Sequence, residues 1–280
     1  MNSTIIKAGV IGWPIDHSLS PRLHGYWLRN YSINGTYRAI AVEGETLSAT
    51  LQHLVQEGYV GLNVTVPHKQ TIMGCLDVLS EQARKIGAVN TIVMDEHGKL
   101  HGSNTDGFGF IENLKQGCPG FKASKGPAVV LGAGGAARAI VVALIEEGAS
   151  SVTLINRTRQ RAEDLADNLM DPVRTVDWDN RDAALEGAGL LVNTTTLGMV
   201  GKPQLEISLD NLPSDALVSD IVYAPLETRL LKAAKTRGNA TVDGLGMLLH
   251  QARPGFAAWF GVEPTVTDDL RRHVLAGTGA

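Results

Sequence analysis

The segment Asn63–Lys69 reads Asn-Val-Thr-Val-Pro-His-Lys, and its residue types could bind an oxygen-rich molecule and exchange a proton with it. Val64 and Val66 alternate with polar residues, which predicts a strand with one buried face and one polar face. Because proline cannot donate to a sheet, the strand should end at Pro67 and leave Lys69 in a loop. Amides and hydroxyls that end in one ammonium suit a substrate whose carbonyl needs a proton. An edge strand followed by a solvated lysine explains these seven residues equally well.

Two further polar clusters could complete a site for a hydroxylated acid. Ser18 and Ser20 place two hydroxyls before Pro21, where they could bind a carboxylate, or Ser20 could cap a helix. Asp106 could begin a helix, or it could lie beside Lys69 and favour the charged form of that lysine. Such a pair could donate a proton to a carbonyl oxygen as hydride arrives. The alternative acid–base groups are His17, His24, His68 and His250.

A glycine-rich turn in the second half predicts a dinucleotide site. The apolar run 129–131 leads directly into Gly132-Ala-Gly-Gly-Ala-Ala137 and an apolar helix, which fits the pattern G-x-G-x-x-A. Gly132 permits the tight turn, Gly134 lets the backbone approach a pyrophosphate, and Ala137 lets helix and strand pack closely. The helix N-terminus then presents its free N–H groups to that pyrophosphate.

The residues after the next strand discriminate between the two nicotinamide dinucleotides. About 20 residues after the glycine turn, an NAD site usually carries an acidic residue for the ribose 2′-hydroxyl. This chain has no carboxylate there and carries Arg157, Arg159 and Arg161 instead. Guanidinium groups match phosphate in charge and geometry, so the pattern favours NADP(H), with a solvated basic helix start as the alternative. Arg157 and Arg161 are four residues apart and can share a helix face, which favours them over Arg159.

Composition and charge argue against several classes of protein. The chain has 280 residues, 44% hydrophobic and 19% charged, which indicates a globular protein of one large or two ordinary domains. A net charge of -4 gives no basic surface for nucleic acid. The longest apolar run, 139–145, is far shorter than the roughly 20 residues of a membrane span. Two cysteines predict a cytoplasmic protein without a disulfide framework, and the scattered histidines predict no metal site.

The order of strand and helix patterns predicts a two-part α/β protein. Residues 8–94 alternate between the two patterns, which favours βαβ units and a mainly parallel sheet. A stretch rich in Gly, Pro, Lys and Ser at 116–127 marks a connection, and a second alternation runs from 128 to about 242. The last stretch, 246–276, is helical and adds no strand, and packing back on the first half is one way to bury its apolar side chains.

Nine motifs in order give the chain a resemblance to the shikimate dehydrogenase family over nearly its whole length. They are Ser18-Leu-Ser-Pro21, Asn63-Val-Thr-Val-Pro-His-Lys69, Gly87-Ala-Val-Asn-Thr91, Asn104-Thr-Asp-Gly107, Gly132-Ala-Gly-Gly-Ala136, Asn156-Arg-Thr158, Asn193-Thr-Thr195, Asp220-Ile-Val-Tyr223, and Gly244-Leu-Gly-Met-Leu248 with Gln251. The resemblance implies an α/β fold of two domains, an N-terminal substrate domain (1–105 plus 244–280) and a Rossmann NADP-binding domain (106–243). It also implies that a C-terminal helix returns to the first domain.

The resemblance also implies an activity and a set of site residues. The activity is the NADP-dependent, reversible reduction of 3-dehydroshikimate to shikimate in aromatic amino-acid biosynthesis, with Lys69 and Asp106 as the catalytic pair. Residues expected to bind the substrate are Ser18, Ser20, Thr65, Asn90, Tyr223 and Gln251. Residues expected to bind NADP(H) are Gly132, Gly134, Gly135, Ala136, Asn156, Arg157, Thr158 and Arg161, with Gly244 and Met247 near the nicotinamide.

Several alternatives stay open at the level of sequence. A quinate/shikimate dehydrogenase of broader specificity would share the fold and the catalytic pair, and a catalytically silent NADP-binding regulator would share the fold. Both a monomer and a homodimer are compatible with the sequence. Asn63 could touch the substrate or hold the strand end in shape, and the second role is favoured. Gly25 stands where many family members carry a polar residue, which is expected to loosen the loop around the substrate carboxylate.

Overall fold

The computed structural model describes residues 5–169 and 172–277, which divide into two compact units. The first unit runs through Thr105 and resumes at Gln251, and the second unit is Asp106–His250. The sequence-based domain division places the return to the first unit at residue 244.

The first unit is built on a mixed sheet. Its elements before the return are β1 (Ile6–Gly12), α1 (Ser20–Asn30), β2 (Gly35–Ala41), α2 (Leu47–Gln56), β3 (Tyr59–Val64), β4 (Val78–Leu79), α3 (Glu81–Ile86), β5 (Thr91–Met94) and β6 (Leu100–Ser103). The strand order is β2-β1-β3-β5-β6-β4. The prediction of a mainly parallel sheet holds for β1, β2 and β3, whereas β5 runs antiparallel to both its neighbours.

A tight turn between β5 and β6 explains why these two strands run antiparallel to each other. Asp95 Oδ1 accepts hydrogen bonds from the backbone N–H groups of His97 and Lys99, at 2.9 Å each. Gly98 has φ 77°, a conformation that glycine adopts without steric cost. The sequence analysis missed β6, although an aspartate with a glycine three residues later is a hairpin signal.

The second unit contains a fully parallel sheet. Its elements are α4 (Asp106–Gly117), β7 (Ala128–Leu131), α5 (Gly135–Glu146), β8 (Val152–Ile155), α6 (Arg159–Leu169), β9 (Val173–Val176), β10 (Leu190–Asn193), β11 (Leu217–Asp220), α7 (Arg229–Thr236) and β12 (Thr241–Val242). The order β12-β11-β10-β7-β8-β9 is the Rossmann order, and it reverses between β7 and β10. Strands β7, β8, β10 and β11 are buried along their whole length, which agrees with sequences that are apolar except at Thr153, Asn193, Ser219 and Asp220.

The boundary between the two units falls inside α8 (Leu245–Phe260). Helix α9 (Asp268–Leu275) follows α8. The predicted helical stretch 246–276 is therefore two helices, and Gly261, with φ 73°, stands where α8 ends. Trp259 Nε1 donates to the backbone O of Ile92 in β5 at 3.0 Å. Its ring lies where a Cβ on Gly61 would be, so α8 packs tightly against the first sheet. No helix in the described residues is long and apolar enough to cross a bilayer.

His24 lies in an aromatic layer of the first unit. Its ring stacks on Tyr37 with centroids 3.9 Å apart and meets Trp27 edge-on at 5.7 Å. Neither ring nitrogen has a hydrogen-bond partner among the described residues. Burial lowers the pKa of His24 from 6.5 to about 3, so the ring is neutral near pH 7 and is a weak proton acceptor. His24 therefore acts as a packing residue and not as the acid–base group that the sequence left open.

We expect His24 to make the protein less stable as pH falls. The unfolded chain takes up a proton at His24 below pH 6.5, whereas the native state resists protonation down to a pKa of about 3. The contribution is present above pH 6.5 and is lost progressively as pH falls toward about 3. Between about pH 7.5 and about pH 5.5, the wild type should lose about 1.4 kcal/mol of unfolding free energy that a His24→Phe variant keeps.

Urea titrations of both proteins at the two pH values measure this difference. His97→Gln, which removes an exposed histidine from the β5–β6 turn, is the control and should lose as much as the wild type. Equal losses in the wild type and His24→Phe would contradict the buried, neutral ring.

Candidate active site

The segment that follows β3 leaves the sheet sooner than expected. The strand ends at Val64 rather than at Pro67, and the Val66–Pro67 peptide bond is cis. Lys69 O accepts a hydrogen bond of 2.7 Å from Val89 N, which places Lys69 beside the segment that leads into β5. Lys69 and Thr65 are both half-buried.

Asn90 connects three segments of the first unit. Its Nδ2 donates to Thr105 Oγ1 at 3.0 Å and to Gln251 Oε1 at 3.1 Å, and its Oδ1 accepts from Thr105 N at 2.8 Å. Thr105 Oγ1 also donates to the backbone O of Gln251 at 2.7 Å. All three side chains are buried. The structure thus brings together Asn90 and Gln251, two predicted substrate ligands, with Thr105, which directly precedes Asp106 in the chain.

Asn63 makes its hydrogen bonds inside the protein. Its Oδ1 accepts from the Tyr37 hydroxyl at 2.6 Å, and its Nδ2 donates to Asn90 O at 3.2 Å and to Thr91 Oγ1 at 3.3 Å. Only 5% of the residue is exposed. Both ends of the amide therefore hold β3 to its surroundings, which favours the structural role over substrate contact.

Ser18 and Ser20 lie at the start of α1. Leu19 is the N-cap and Ser20 is the first helical residue, so the interpretation of Ser20 as the helix cap is wrong. Ser18 Oγ accepts from Ser20 N at 3.3 Å; Ser18 is half-buried and Ser20 is buried. Gly25 is inside α1, so it cannot loosen a loop there.

Two of the other candidate histidines hold backbone segments or helices in place. His68 is buried, and its Nε2 lies 2.7 Å from the backbone O of Val42. His250 Nε2 lies 2.8 Å from Gln116 Oε1. His17 is exposed. In the described part of the chain, no group of three His, Cys, Asp or Glu side chains could hold a metal ion.

The glycine turn after β7 has the shape that a pyrophosphate requires. Gly132 has φ 112°, and Thr194 Oγ1 fills the place where its Cβ would be while donating to Leu131 O at 2.6 Å. Gly134 is the N-cap of α5 and faces open space on its Cβ side. The first turn of α5, with Gly135 and Ala136, has free N–H groups that can bind an anion. The residues present therefore fit a dinucleotide at the point where the strand order reverses.

The three arginines after β8 differ in whether they form ion pairs with carboxylates of the protein. Arg159 lies 2.6 Å from Glu163 Oε1 and 2.6 Å from Asp177 Oδ1, so protein carboxylates already pair with it. Arg157 and Arg161 are exposed, and within the described residues no ion pair engages either of them. Asn156 Nδ2 donates to the backbone O of Thr158 at 2.8 Å, which shapes the turn that carries Arg157. The structure thus leaves Arg157 and Arg161 available for a phosphate.

The remaining predicted site residues lie in the second unit. Asp106 is buried at the first position of α4, where a carboxylate is favoured by the helix dipole. Tyr223 is half-buried after β11, and burial raises its pKa, so its hydroxyl stays protonated. Gly244 lies against the backbone of Ile221, which leaves no room for a Cβ. Met247 is in the hydrophobic core of this unit.

The sequence analysis gave no role to Thr105, Asn193, Asp220 and Thr228. The last three form a buried network at the ends of β10 and β11. The sequence does carry a signal for this network. A carboxylate ends the apolar strand Leu217–Asp220, and Thr228 directly precedes the next helix.

Comparisons with known proteins match this architecture. Residues 10–92 match the model of the shikimate dehydrogenase substrate binding domain, and residues 115–222 match the model of shikimate / quinate 5-dehydrogenase. A protein named shikimate dehydrogenase (NADP(+)) from Rhodospirillum rubrum is 57% identical over 272 residues, which cover 96% of each chain.

Two solved structures are also similar to this chain. Shikimate 5-dehydrogenase from Thermus thermophilus in complex with NADP(H) and shikimate has a TM-score of 0.87 and 37% identity, covering 98% of this chain and 100% of that chain. Quinate dehydrogenase from Corynebacterium glutamicum in complex with NAD has a TM-score of 0.91 and 35% identity, covering 97% of this chain and 99% of that one. The resemblance found in the sequence is confirmed: the chain belongs to the shikimate dehydrogenase family.

Proposed function

We propose that the protein catalyses the NADP-dependent, reversible reduction of 3-dehydroshikimate to shikimate. The observation that carries this proposal is the similarity to the Rhodospirillum rubrum enzyme, 57% identical over 96% of both chains. The arginines that follow β8, with no carboxylate in that turn, agree with NADP rather than NAD. The neutral amides and hydroxyls of the first unit agree with a hydroxylated acid as substrate.

Lys69 is the proposed acid–base group and Asp106 its partner. When bound, NADPH supplies hydride to the carbonyl carbon. The Lys69 ammonium gives a proton to the carbonyl oxygen, which becomes the hydroxyl of the product, and in reverse the amine takes that proton back. The proposed role of the Asp106 carboxylate is to pair with the Lys69 ammonium and orient it. Two hydrogen bonds support this assignment. Lys69 O accepts from Val89 N, next to Asn90 in the chain, and Asn90 Oδ1 accepts from Thr105 N, next to Asp106 in the chain.

The other roles follow the predicted sets of residues. Neutral hydroxyls and amides hold the substrate carboxylate and hydroxyls; these residues are Ser18, Ser20, Thr65, Asn90, Tyr223 and Gln251. NADP(H) is held by the turn after β7 and the turn after β8; these residues are Gly132, Gly134, Gly135, Ala136, Asn156, Arg157, Thr158 and Arg161. Gly244 and Met247 are proposed to lie near the nicotinamide.

The proposal extends to domains and setting. Residues 1–105 plus 244–280 form the substrate domain, and 106–243 form the NADP-binding domain. Free Cys75 and Cys118 suit the reducing cytoplasm, where the enzyme serves aromatic amino-acid biosynthesis as a monomer or a homodimer.

Initial rates of cofactor reduction, measured by absorbance with shikimate or quinate and with NADP or NAD, test the proposal. We expect kcat/KM to be highest for shikimate with NADP. Similarity to the Corynebacterium glutamicum quinate dehydrogenase makes quinate with NAD the competing pair, and a higher kcat/KM for that pair would overturn the proposal. Tight NADPH binding without turnover of either acid would favour the silent regulator.

Replacing Lys69 with alanine should lower kcat for shikimate oxidation by at least about 100-fold, because general acid–base catalysis typically contributes 10² to 10⁴. The Kd for NADPH, measured by fluorescence titration, should stay within about threefold, since Lys69 belongs to the first unit. Lys99→Ala, which truncates an exposed lysine near the β5–β6 turn, is the matched control. A Lys69→Ala enzyme with kcat within about tenfold of the wild type would remove Lys69 from the mechanism.

Arg157→Ala and Arg161→Ala should each raise the KM for NADP about tenfold, because each removes a charge-assisted hydrogen bond to the 2′-phosphate. The KM for NAD, which lacks that phosphate, should change less than about twofold. Arg159→Ala is the matched control, since its guanidinium already pairs with Glu163 and Asp177. Steady-state kinetics with both cofactors measure these values, and equal effects on NADP and NAD would contradict the assignment.

A further inference from the structure

A buried hydrogen-bond network joins the loops that follow β10 and β11. Asp220, the last residue of β11, is only 1% exposed. Its Oδ1 accepts from Asn193 Nδ2 and from Val222 N, at 3.0 Å each, and its Oδ2 accepts from Thr228 Oγ1 at 2.7 Å. Asn193 Oδ1 in turn accepts from Thr195 N at 3.0 Å, so the amide also shapes its own loop.

These bonds hold the segment 221–228 at both ends. Val222 begins the segment, and Thr228 ends it as the N-cap of α7, where its Oγ1 accepts from Leu231 N at 3.3 Å. Ala224 O, in the middle of the segment, accepts from Val200 N at 2.9 Å. Tyr223 lies between two of these points, so the backbone on either side of it is fixed although the segment has no helix or strand.

The three hydrogen-bond partners of Asp220 suit an ionised carboxylate. A backbone N–H, an amide NH₂ and a hydroxyl all donate to it, and an ionised carboxylate only accepts. None of these three donors is a cation, so hydrogen bonds alone compensate the charge. Burial raises the pKa of Asp220 to about 6 against the opposing effect of those bonds, so the carboxylate is mostly ionised at pH 7. Its oxygens are committed to the protein, which argues against direct contact with substrate.

We propose that Asp220 is a positioning residue: its carboxylate holds the segment 221–228, through Val222 and Thr228, so that the Tyr223 hydroxyl reaches the substrate. The inference rests on the proposed function, in which Tyr223 binds shikimate. Because Asp220 acts only through Tyr223, an experiment can distinguish this role from a general contribution of Asp220 to the stability of the fold. A residue that merely stabilises the fold has no reason to depend on the Tyr223 hydroxyl.

A double-mutant cycle of Asp220→Asn and Tyr223→Phe tests this dependence. Each single variant should raise the KM for shikimate about tenfold and change kcat less than about threefold, as expected for loss of uniform binding. The double variant should match Tyr223→Phe alone within about twofold, because the hydroxyl that Asp220 positions is already absent. The Kd for NADPH should stay within about threefold in all three proteins.

Variants of Thr228 test the same inference without changing the Asp220 carboxylate. Thr228→Ser keeps the hydroxyl donor and should leave the KM for shikimate within about twofold, whereas Thr228→Val removes the donor and should raise it about tenfold. In the Tyr223→Phe background, Ser and Val at position 228 should give the same KM within about twofold. If Asp220→Asn fails to fold, the comparison of Thr228→Ser with Thr228→Val tests the inference instead.

Three results would overturn the inference. One is a multiplicative effect, with the double variant about 100-fold above the wild type, since the two residues would then act independently. The second is an unchanged KM in Tyr223→Phe or in Thr228→Val. The third is a wild-type enzyme that does not turn over shikimate, which would overturn the proposed function as well; the first two results leave that function intact.

Discussion

Buried polar side chains at strand ends must find hydrogen-bond partners, and the positions of the functional loops depend on this requirement. An unsatisfied buried donor or acceptor costs about 1–3 kcal/mol, and at these positions the nearest partners are the loops themselves. Asn90, just before β5, binds Thr105 and Gln251 in the first unit. Asp220, at the end of β11, binds Val222 and Thr228 in the second. Each unit thus fixes segments without regular structure by satisfying one buried side chain.

Buried and exposed side chains have different proposed roles. The partners that satisfy Asn90 and Asp220 are neutral amides, hydroxyls and backbone N–H groups, so these loops are held in place by hydrogen bonds rather than by ion pairs. Lys69, proposed for proton transfer, and Arg157 and Arg161, proposed for phosphate binding, are more exposed and can meet a ligand. Asp106, the proposed partner of Lys69, is buried. The parallel sheet of the second unit carries the proposed dinucleotide site, because its strand order reverses beside the glycine turn.

Local patterns in the sequence predicted the parts of the fold that local chemistry determines. The glycine turn at Gly132, with its positive φ, and the basic turn at Arg157 lie where the sequence placed them, because each depends on residues adjacent in the chain. The antiparallel pairing of β5 with β3 and the packing of His24 were not predicted, since both depend on partners distant in sequence. The partners of Asp220 also come from separate loops, so its role becomes visible only in three dimensions.

A crystal structure of the protein with NADP and shikimate tests the central claim most directly. The account predicts that Lys69 Nζ and the Asp106 carboxylate both lie within hydrogen-bond reach, about 2.6–3.2 Å, of the hydroxyl oxygen that becomes the carbonyl. It also predicts that the 2′-phosphate of NADP contacts Arg157 and Arg161. A reacting hydroxyl bound instead by His17, with Lys69 turned to solvent, would contradict the account.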